Sequence, residues 1–330
     1  MVTIRDIAKY AHVSPGTVSR VLNEDPSLSV NPDTRARIQR IAKEMNYAGK
    51  TRASRQIQIV THASKSKEMA DPYYRELRLA IEKEVKQLNL SLKKTIRTDN
   101  IKTLTELKQL EKSGGVIVIG PFQNEVIQAL YQYNSNVVLI NQTDPPTYID
   151  TVSSDLYQAM MQLLHTIDQH HFNRVCYVGG LTKVRHIGNE SNVVRDDDRQ
   201  VAYLDWCKAH HIEPYYFETT WQREGAHQVI QDIVGGVLPD MIVAGNDMLA
   251  VGLIQELQKQ HINVPNDIKI VSFNDSEVAE YTVPMLTSVH IPIEEFGRQA
   301  VRLLLERMQH RRQVAIHMQL ETSIHYRDSF

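Results

Sequence analysis

Only two of the 330 residues are cysteine. Cys176 sits in an apolar strand-like run and Cys207 in a helix-like run, with no C-x-x-C spacing and no companion ligands. That excludes a disulfide framework, and both thiols read as reduced core groups. No apolar stretch approaches the ~20 residues that a spanning helix needs, and the N-terminus lacks the apolar core of a signal peptide. Membrane partners are therefore excluded, and the expected compartment is the cytoplasm. Phosphate-cradling glycine loops are missing as well: Gly114-Gly115 and Gly179-Gly180 stand isolated, outside any G-x-G-x-x-G or Walker pattern. There is no G-x-S-x-G elbow. The histidine pairs His170-His171 and His210-His211 lie near helix C-termini, where the helix dipole favours a cation, and lack the i, i+4 spacing of a zinc helix. We expect no enzyme, no cofactor and no metal.

Net charge is also nearly absent, with 37 Lys and Arg against 39 Asp and Glu. Its distribution is uneven. Through Gln56 the chain carries ten basic and five acidic residues, and the rest carries 27 and 34. Phosphate attraction is thereby confined to the N-terminus.

That basic segment reads as three short helices. Thr3 and Asp6 form a T-x-x-D cap, after which Ile4, Ile7, Ala8 and Ala11 recur on one helical face. Ser14 caps a second helix and Pro15 takes its first position, where a missing N–H costs nothing; Val18, Val21 and Leu22 supply its buried side. Asn31-Pro32-Asp33-Thr34 repeats the signal, with Ile38, Ile41, Ala42 and Met45 continuing to Tyr47. The link Ala11-His12-Val13 has the length of a helix-turn-helix turn, so the second helix presents Thr17, Ser19, Arg20 and Asn23 to a DNA groove. Thr3, Ser14, Pro15 and Gly16 complete the candidate DNA-contacting set.

From Gln56 onward, β-branched runs alternate with amphipathic stretches: a strand at 57–60, a helix at 73–90, a strand at 91–97, a helix at 102–112 and a strand at 116–119. A second series starts near Leu156 and includes strands at 174–180, 241–245 and 268–273. This is the pattern of parallel sheets covered by helices on both faces. In such sheets ligands sit beyond the carboxyl ends of the strands. Asp71-Pro72-Tyr73-Tyr74, Asp155, Asn246-Asp247 and Asn274-Asp275 all follow strand-like runs. Carboxylates and amides share sugar hydroxyls in pairs, and an aromatic face covers a sugar ring. Helix capping is the competing reading for Asp155 and Asp275, and the preferred one for Asp247.

The string T-I-R-D-I-A-K-Y-A-H-V-S-P-G-T-V-S-R-V-L-N resembles the start of the lactose/galactose-repressor (LacI/GalR) family, and the resemblance extends over nearly the whole chain. It implies an all-α helix-turn-helix head at 1–47 and a hinge at 48–57. A bilobed, periplasmic-binding-protein-like α/β core follows. One lobe is expected at 58–155 plus about 287–315, the other at 156–286 plus about 316–330. In the family an arginine opening a helix of the second lobe grips sugar hydroxyls; Arg199 matches, with Arg195 as the neighbouring alternative. The resemblance places Asn246 and Asn274 at effector positions and a ring-stacking aromatic near Trp221. It also implies a hinge side chain that wedges into the minor groove. Ile57 is open to two readings, the wedge or the first strand residue. Asp71-Pro72-Tyr73-Tyr74 resembles the galactoside-responsive branch.

The implied function is a homodimeric transcriptional repressor, released from a pseudo-palindromic double-stranded operator by a sugar, galactose or a β-galactoside. No leucine heptad follows the core, so a dimer rather than a tetramer is expected. A sugar-binding transport protein, or a corepressor-dependent regulator of another sugar or nucleobase pathway, is the alternative.

Overall fold

The computed structural model describes residues 2–22, 25, 27–45, 47, 55–169, 172, 174–188 and 191–330. Asn23, the 48–54 part of the hinge and the pair His170-His171 lie outside the described residues. Among the described residues no helix is long and apolar enough to cross a membrane.

The head forms α1 (Ile4–Ala11), α2 (Pro15–Leu22) and α3 (Pro32–Glu44). A capping box starts α1: the Asp6 carboxylate accepts the Thr3 N–H at 2.8 Å, and the Thr3 hydroxyl accepts the Asp6 N–H at 3.2 Å. Two backbone donors that the helix itself leaves unpaired are thereby satisfied. Ser14 Oγ accepts the Thr17 N–H at 3.1 Å at the start of α2, and Asn31 accepts from Asp33 at 2.9 Å before α3. Ile7, Ala8, Ala11, Val18, Val21, Ile38 and Ala42 close one small core.

The body has two parallel sheets. The first lobe contains β1 (Gln56–Thr61), α4 (Lys65–Ala70), α5 (Pro72–Gln87), β2 (Ser91–Leu92), β3 (Ile96–Arg97), β4 (Gly115–Ile119), α6 (Asn124–Tyr133), β5 (Val137–Ile140) and β6 (Asp150–Ser153). The second contains α7 (Leu156–Gln169), β7 (Val175–Gly179), β8 (Thr182–Val184), β9 (Val193–Arg195), α8 (Asp198–Ala209), β10 (Tyr215–Glu218), α9 (Ala226–Val234), β11 (Met241–Ala244), α10 (Asp247–Lys259), β12 (Lys269–Asn274) and β13 (Thr287–His290). The chain then returns through α11 (Ile293–Met308), β14 (His317–Gln319) and β15 (Ser323–His325). The first sheet runs β14-β6-β5-β4-β1-β2, with β3 also on β1; the second runs β10-β7-β11-β12-β13-β15.

Each sheet is buried on both faces, as parallel sheets must be. In the first lobe α5 and α11 cover one side through Leu77, Ile81, Phe296 and Leu304, while α6 covers the other. Burying each such side chain contributes about 1.5–3 kcal/mol. At the α5–α11 crossing a Cβ on Gly297 would lie 2.6 Å from the Ala80 Cβ, so only glycine permits the approach. Asp150, fully buried, accepts from Arg307 and Arg312 and from the Ile316 N–H, which locks α11 and β14 to β6.

Several expectations change. Ile57 is a strand residue: it is fully buried and registers between Leu92 and Gly115, so it is not available as a minor-groove wedge. The strand expected at 91–97 is two short pieces, and the Gln58 side chain donates to the Lys94 carbonyl at 2.5 Å across the interruption. The helix expected at 102–112 is a 3₁₀ helix, Leu104–Lys112. Leu104, Leu107 and Leu110 recur every third residue, the period that aligns them on a 3₁₀ turn. Asn246, not Asp247, caps α10. The lobe boundaries also shift. Thr287–His290 pairs with β12 and so belongs to the second lobe, while His317–Gln319 pairs with β6 and belongs to the first. The chain thus crosses between the sheets after Ser153, His290 and Gln319.

Candidate functional site

The second lobe builds one side of the cleft on Arg199, at the start of α8. Its guanidinium is buried, 8% exposed, and donates Nε to Asp197 Oδ1 at 2.6 Å and Nη2 to Oδ2 at 3.1 Å. A third donor, Nη1, reaches the Gly245 carbonyl. Burial opposes both charges, but the pairing outweighs it, holding Arg199 above and Asp197 below its ordinary pKa. The guanidinium carbon stands 4.6 Å over the Trp221 ring and 5.5 Å from that of Phe273. Trp221 is fixed in turn: its indole N–H donates to Leu181 at 3.0 Å, and its carbonyl accepts from Asn246 Nδ2 at 3.0 Å. Arg199, Trp221 and Asn246 therefore interlock.

Across the cleft, Asp71 caps α5 by accepting the Tyr73 N–H at 3.1 Å. Burial raises the Asp71 pKa, opposed by that N–H and by the charges of Lys67 and Arg199. The field of Arg199 also reaches Tyr73 and Tyr74, which places the two lobes' candidates around one space. Tyr73 itself is turned inward, its hydroxyl accepting from Asn141. Asp155 accepts the Gln158 N–H at 2.9 Å and so caps α7, although its charge is felt at Asp198 beside Arg199. Arg195 binds Asp198 at 3.3 Å. Asn274 ends β12 with φ at 105°, and its carbonyl accepts from Ile291; among the described residues it has no hydrogen bond to Arg199, Trp221 or Asn246.

Four residues that the sequence reading did not single out line this space. His62 follows β1, packs edge-on against Tyr74 at 5.2 Å, and is buried with neither ring nitrogen hydrogen-bonded. Burial, with Lys67 and Arg185 nearby, pushes its pKa well below the ordinary value. A Cβ on Gly120, whose φ is +103°, would lie 1.9 Å from the His62 ring, so the ring's position depends on glycine there. Lys67 stands 4.4 Å over the Tyr74 ring, and burial lowers its pKa to about 8. Tyr177 Oη and Arg185 Nε are buried without protein partners. His62 obeys the strand-end rule and was open to discovery; Arg185 was not, because it is brought in by the unforeseen β8–β9 hairpin. The tip of that hairpin clasps the first lobe. The Arg185 N–H donates to Pro121, and Ile187 is buried in the first lobe's core.

Asp247 lies behind the cleft, 1% exposed. It accepts from Ser272 at 2.5 Å, Ser288 at 2.7 Å and both the N–H and hydroxyl of Ser276 at 2.7 Å. Burial nevertheless pushes its pKa up to about 6. A raised carboxyl pKa means that the folded state holds the proton longer, so this group's stabilisation is full below the unfolded value and is lost as pH rises through about 6. Urea unfolding at pH 5 and 7.5 checks this. The stability difference between wild type and the non-titrating Asp247→Asn should shift by about 1.4 kcal/mol in favour of wild type at pH 5. An unchanged difference would place the titration elsewhere.

In the head, Thr17 and Ser19 are half-buried on α2, and Pro15, Gly16 and Arg20 are exposed. Arg20 Nε donates to Asp25 at 2.8 Å and Nη2 to Ser27 at 2.9 Å, orienting the guanidinium at the end of α2. Thr3 and Ser14 spend their side chains on the caps of α1 and α2.

These features define a helix-turn-helix head joined to a two-lobed α/β body of periplasmic-binding type. Residues 3–49 match the bacterial regulatory proteins of the lacI family, and residues 167–330 match a periplasmic binding protein-like domain. The chain is 33% identical to the HTH-type transcriptional repressor MelR of Bacillus subtilis (strain 168), over 100% of this chain and 97% of that one. It is 31% identical to the HTH-type transcriptional regulator GalR of Streptococcus thermophilus, over 100% and 99%. Among solved structures, a complex of the transcriptional regulator CelR with cellobiose aligns with a TM-score of 0.69 at 22% identity, covering 100% of both chains. A lac repressor dimer bound to operator and the anti-inducer ONPF aligns at 0.70 and 20% identity, over 99% and 98%. The chain belongs to the LacI family of bacterial regulatory proteins: it is a DNA-binding transcriptional regulator and not an enzyme.

Proposed function

We propose that this regulator is a cytoplasmic homodimer that represses genes of galactose or β-galactoside utilisation and is released from its operator by that sugar. The observation that carries the reading is the cleft itself. Arg199 is held over the Trp221 ring, its charge acting on Asp71, near a set of buried polar atoms on His62, Tyr177 and Arg185 that no protein group satisfies. Polyol hydroxyls both donate and accept, which suits neutral imidazole, phenol and guanidinium together. The regulator complex with cellobiose supports a carbohydrate in a body of this fold. The galactoside preference rests on Asp71-Pro72-Tyr73-Tyr74.

The head reads the major groove with α2, through Thr17, Ser19 and Arg20, with Asn23 following; Pro15 and Gly16 let the helix end approach the backbone. Two heads on one dimer read two half-sites. Tyr281 and Val283, 73% and 79% exposed, give the second lobe an apolar strip for the second copy. Operator and sugar then compete by linkage, each lowering the other's affinity by one factor.

A thermal-shift series with galactose, lactose and cellobiose tests the effector. A sugar at a hundred times its Kd should stabilise the chain by about 2.7 kcal/mol. Titrating that sugar into an operator complex then gives the sign. Stabilisation by none of them, or tightening instead of release, would overturn the inducer reading.

A further inference from the structure

Three strands of the second lobe bring Asp275, His290 and His325 to one point beside the lobe crossings. Asp275 follows β12, His290 ends β13 and His325 ends β15. Register makes the meeting: β12 sets Asn274 opposite His290, and the antiparallel β15 sets His325 opposite Ser288 and Ser323 opposite His290. Both imidazoles turn Nδ1 to the same carboxylate oxygen. His290 Nδ1 lies 3.0 Å and His325 Nδ1 2.6 Å from Asp275 Oδ2. The two rings stack at 4.8 Å with 12° between their planes, and one ligand atom from each of the three residues falls within 4.8 Å of the others.

We propose that Asp275, His290 and His325 bind a divalent transition-metal ion, with zinc(II) as the matching probe. Two imidazoles and one carboxylate are the donors that zinc and its neighbours take in preference to calcium or magnesium. Three protein ligands leave a position for water, as in open zinc sites. The carboxylate is already oriented by its other oxygen, Oδ1, which accepts from Arg327 Nη1 at 2.7 Å. Such an outer partner fixes a ligand's direction. The positive charge of Arg327 is itself offset by Glu280, whose Oε1 lies 3.5 Å from Nη2.

Asp275 is half-buried, its side chain 6% exposed, while the two histidine side chains are 39% and 45% exposed, so an ion reaches the cluster from solvent. The sequence assigned no metal, since its three ligands come from separate strands with no local spacing.

Calorimetric titration of the chelator-treated full-length protein with zinc chloride tests the site, using His290→Gln, His325→Gln and the distant His210→Gln. Wild type and His210→Gln should each bind one tight equivalent. His290→Gln and His325→Gln should each weaken that equivalent by tenfold or more, while circular dichroism shows both variants folded. Cobalt(II) gives a second readout: its visible absorption band should appear with wild type and be lost in both variants. No tight equivalent in wild type, or one that survives unweakened in His290→Gln and His325→Gln, would overturn the proposal.

Discussion

Replacing Arg199 by alanine should lower the unfolding free energy by about 3–5 kcal/mol, the cost of breaking a buried ion pair from one side. Asp197 is 5% exposed and would keep only the Thr182 hydroxyl, at 2.9 Å, and the backbone N–H at 3.2 Å. The Gly245 carbonyl would lose its donor, and Trp221 the cation above its ring. A second loss should accompany the first. Removing a charged donor to sugar hydroxyls is worth about 1.5–3 kcal/mol, at least a tenfold rise in the sugar needed to release operator. The double variant Asp197→Ala with Arg199→Ala separates the two effects. It removes the stranded charge and should recover part of the stability without recovering the sugar response. Chemical denaturation and operator-release titrations on all three proteins are the measurements. If Arg199→Ala proved as stable as wild type, the buried pair would be wrong; an unchanged sugar midpoint would take Arg199 out of the effector site.

Deleting residues 1–55 should abolish specific operator binding, a loss of at least about 10³ in affinity, which is the usual margin of specific over non-specific DNA binding. It should leave sugar-induced stabilisation intact. The head has its own core, and β1 begins only at Gln56, so the cut spares both sheets. The ten basic residues through Gln56 would go with it, and the body that remains carries 27 basic against 34 acidic residues. Binding by the full chain should fall steeply with salt for the same reason. Within the head, Arg20→Ala should cost about 1–3 kcal/mol on the operator and relax base preference there. Lys9→Ala should weaken specific and random DNA alike. A truncated body that held operator at full affinity, or equal losses on both DNAs for Arg20→Ala, would remove the head or Arg20 from the recognition described above.

The head was the most legible part of the chain. Caps at Thr3, Ser14 and Asn31 and apolar positions three and four apart are local signals, and the helices start where those signals fall. The strand cores were legible for a related reason: Val116 to Ile119 and Met241 to Ala244 are buried on both faces, so their composition alone marks them. The family resemblance named Arg199, Trp221 and Asn246, and the structure brings the three into contact with one another. Their roles toward one another were not visible. Arg199 looked like a free fork for sugar, whereas Asp197 engages two of its donors. Asp247 looked like a helix cap, whereas three serines from two other strands and a loop surround it.

What the sequence determined by itself was everything carried by short-range periodicity, capping and composition: a basic three-helix head, two series of alternating strands and helices, and the polar strand ends. Tertiary structure alone decided which strand lies beside which. It sent Thr287–His290 to one sheet and His317–Gln319 to the other, buried Ile57, and carried Arg185 across the cleft on a hairpin. It also brought Asp275, His290 and His325 within ligand distance. The physical reason is range. A helix closes its hydrogen bonds within four residues, so its signature is written locally. A parallel strand of three or four residues finds its partner only after long connections fold back, and its position is set by packing and register that no nearby residue records.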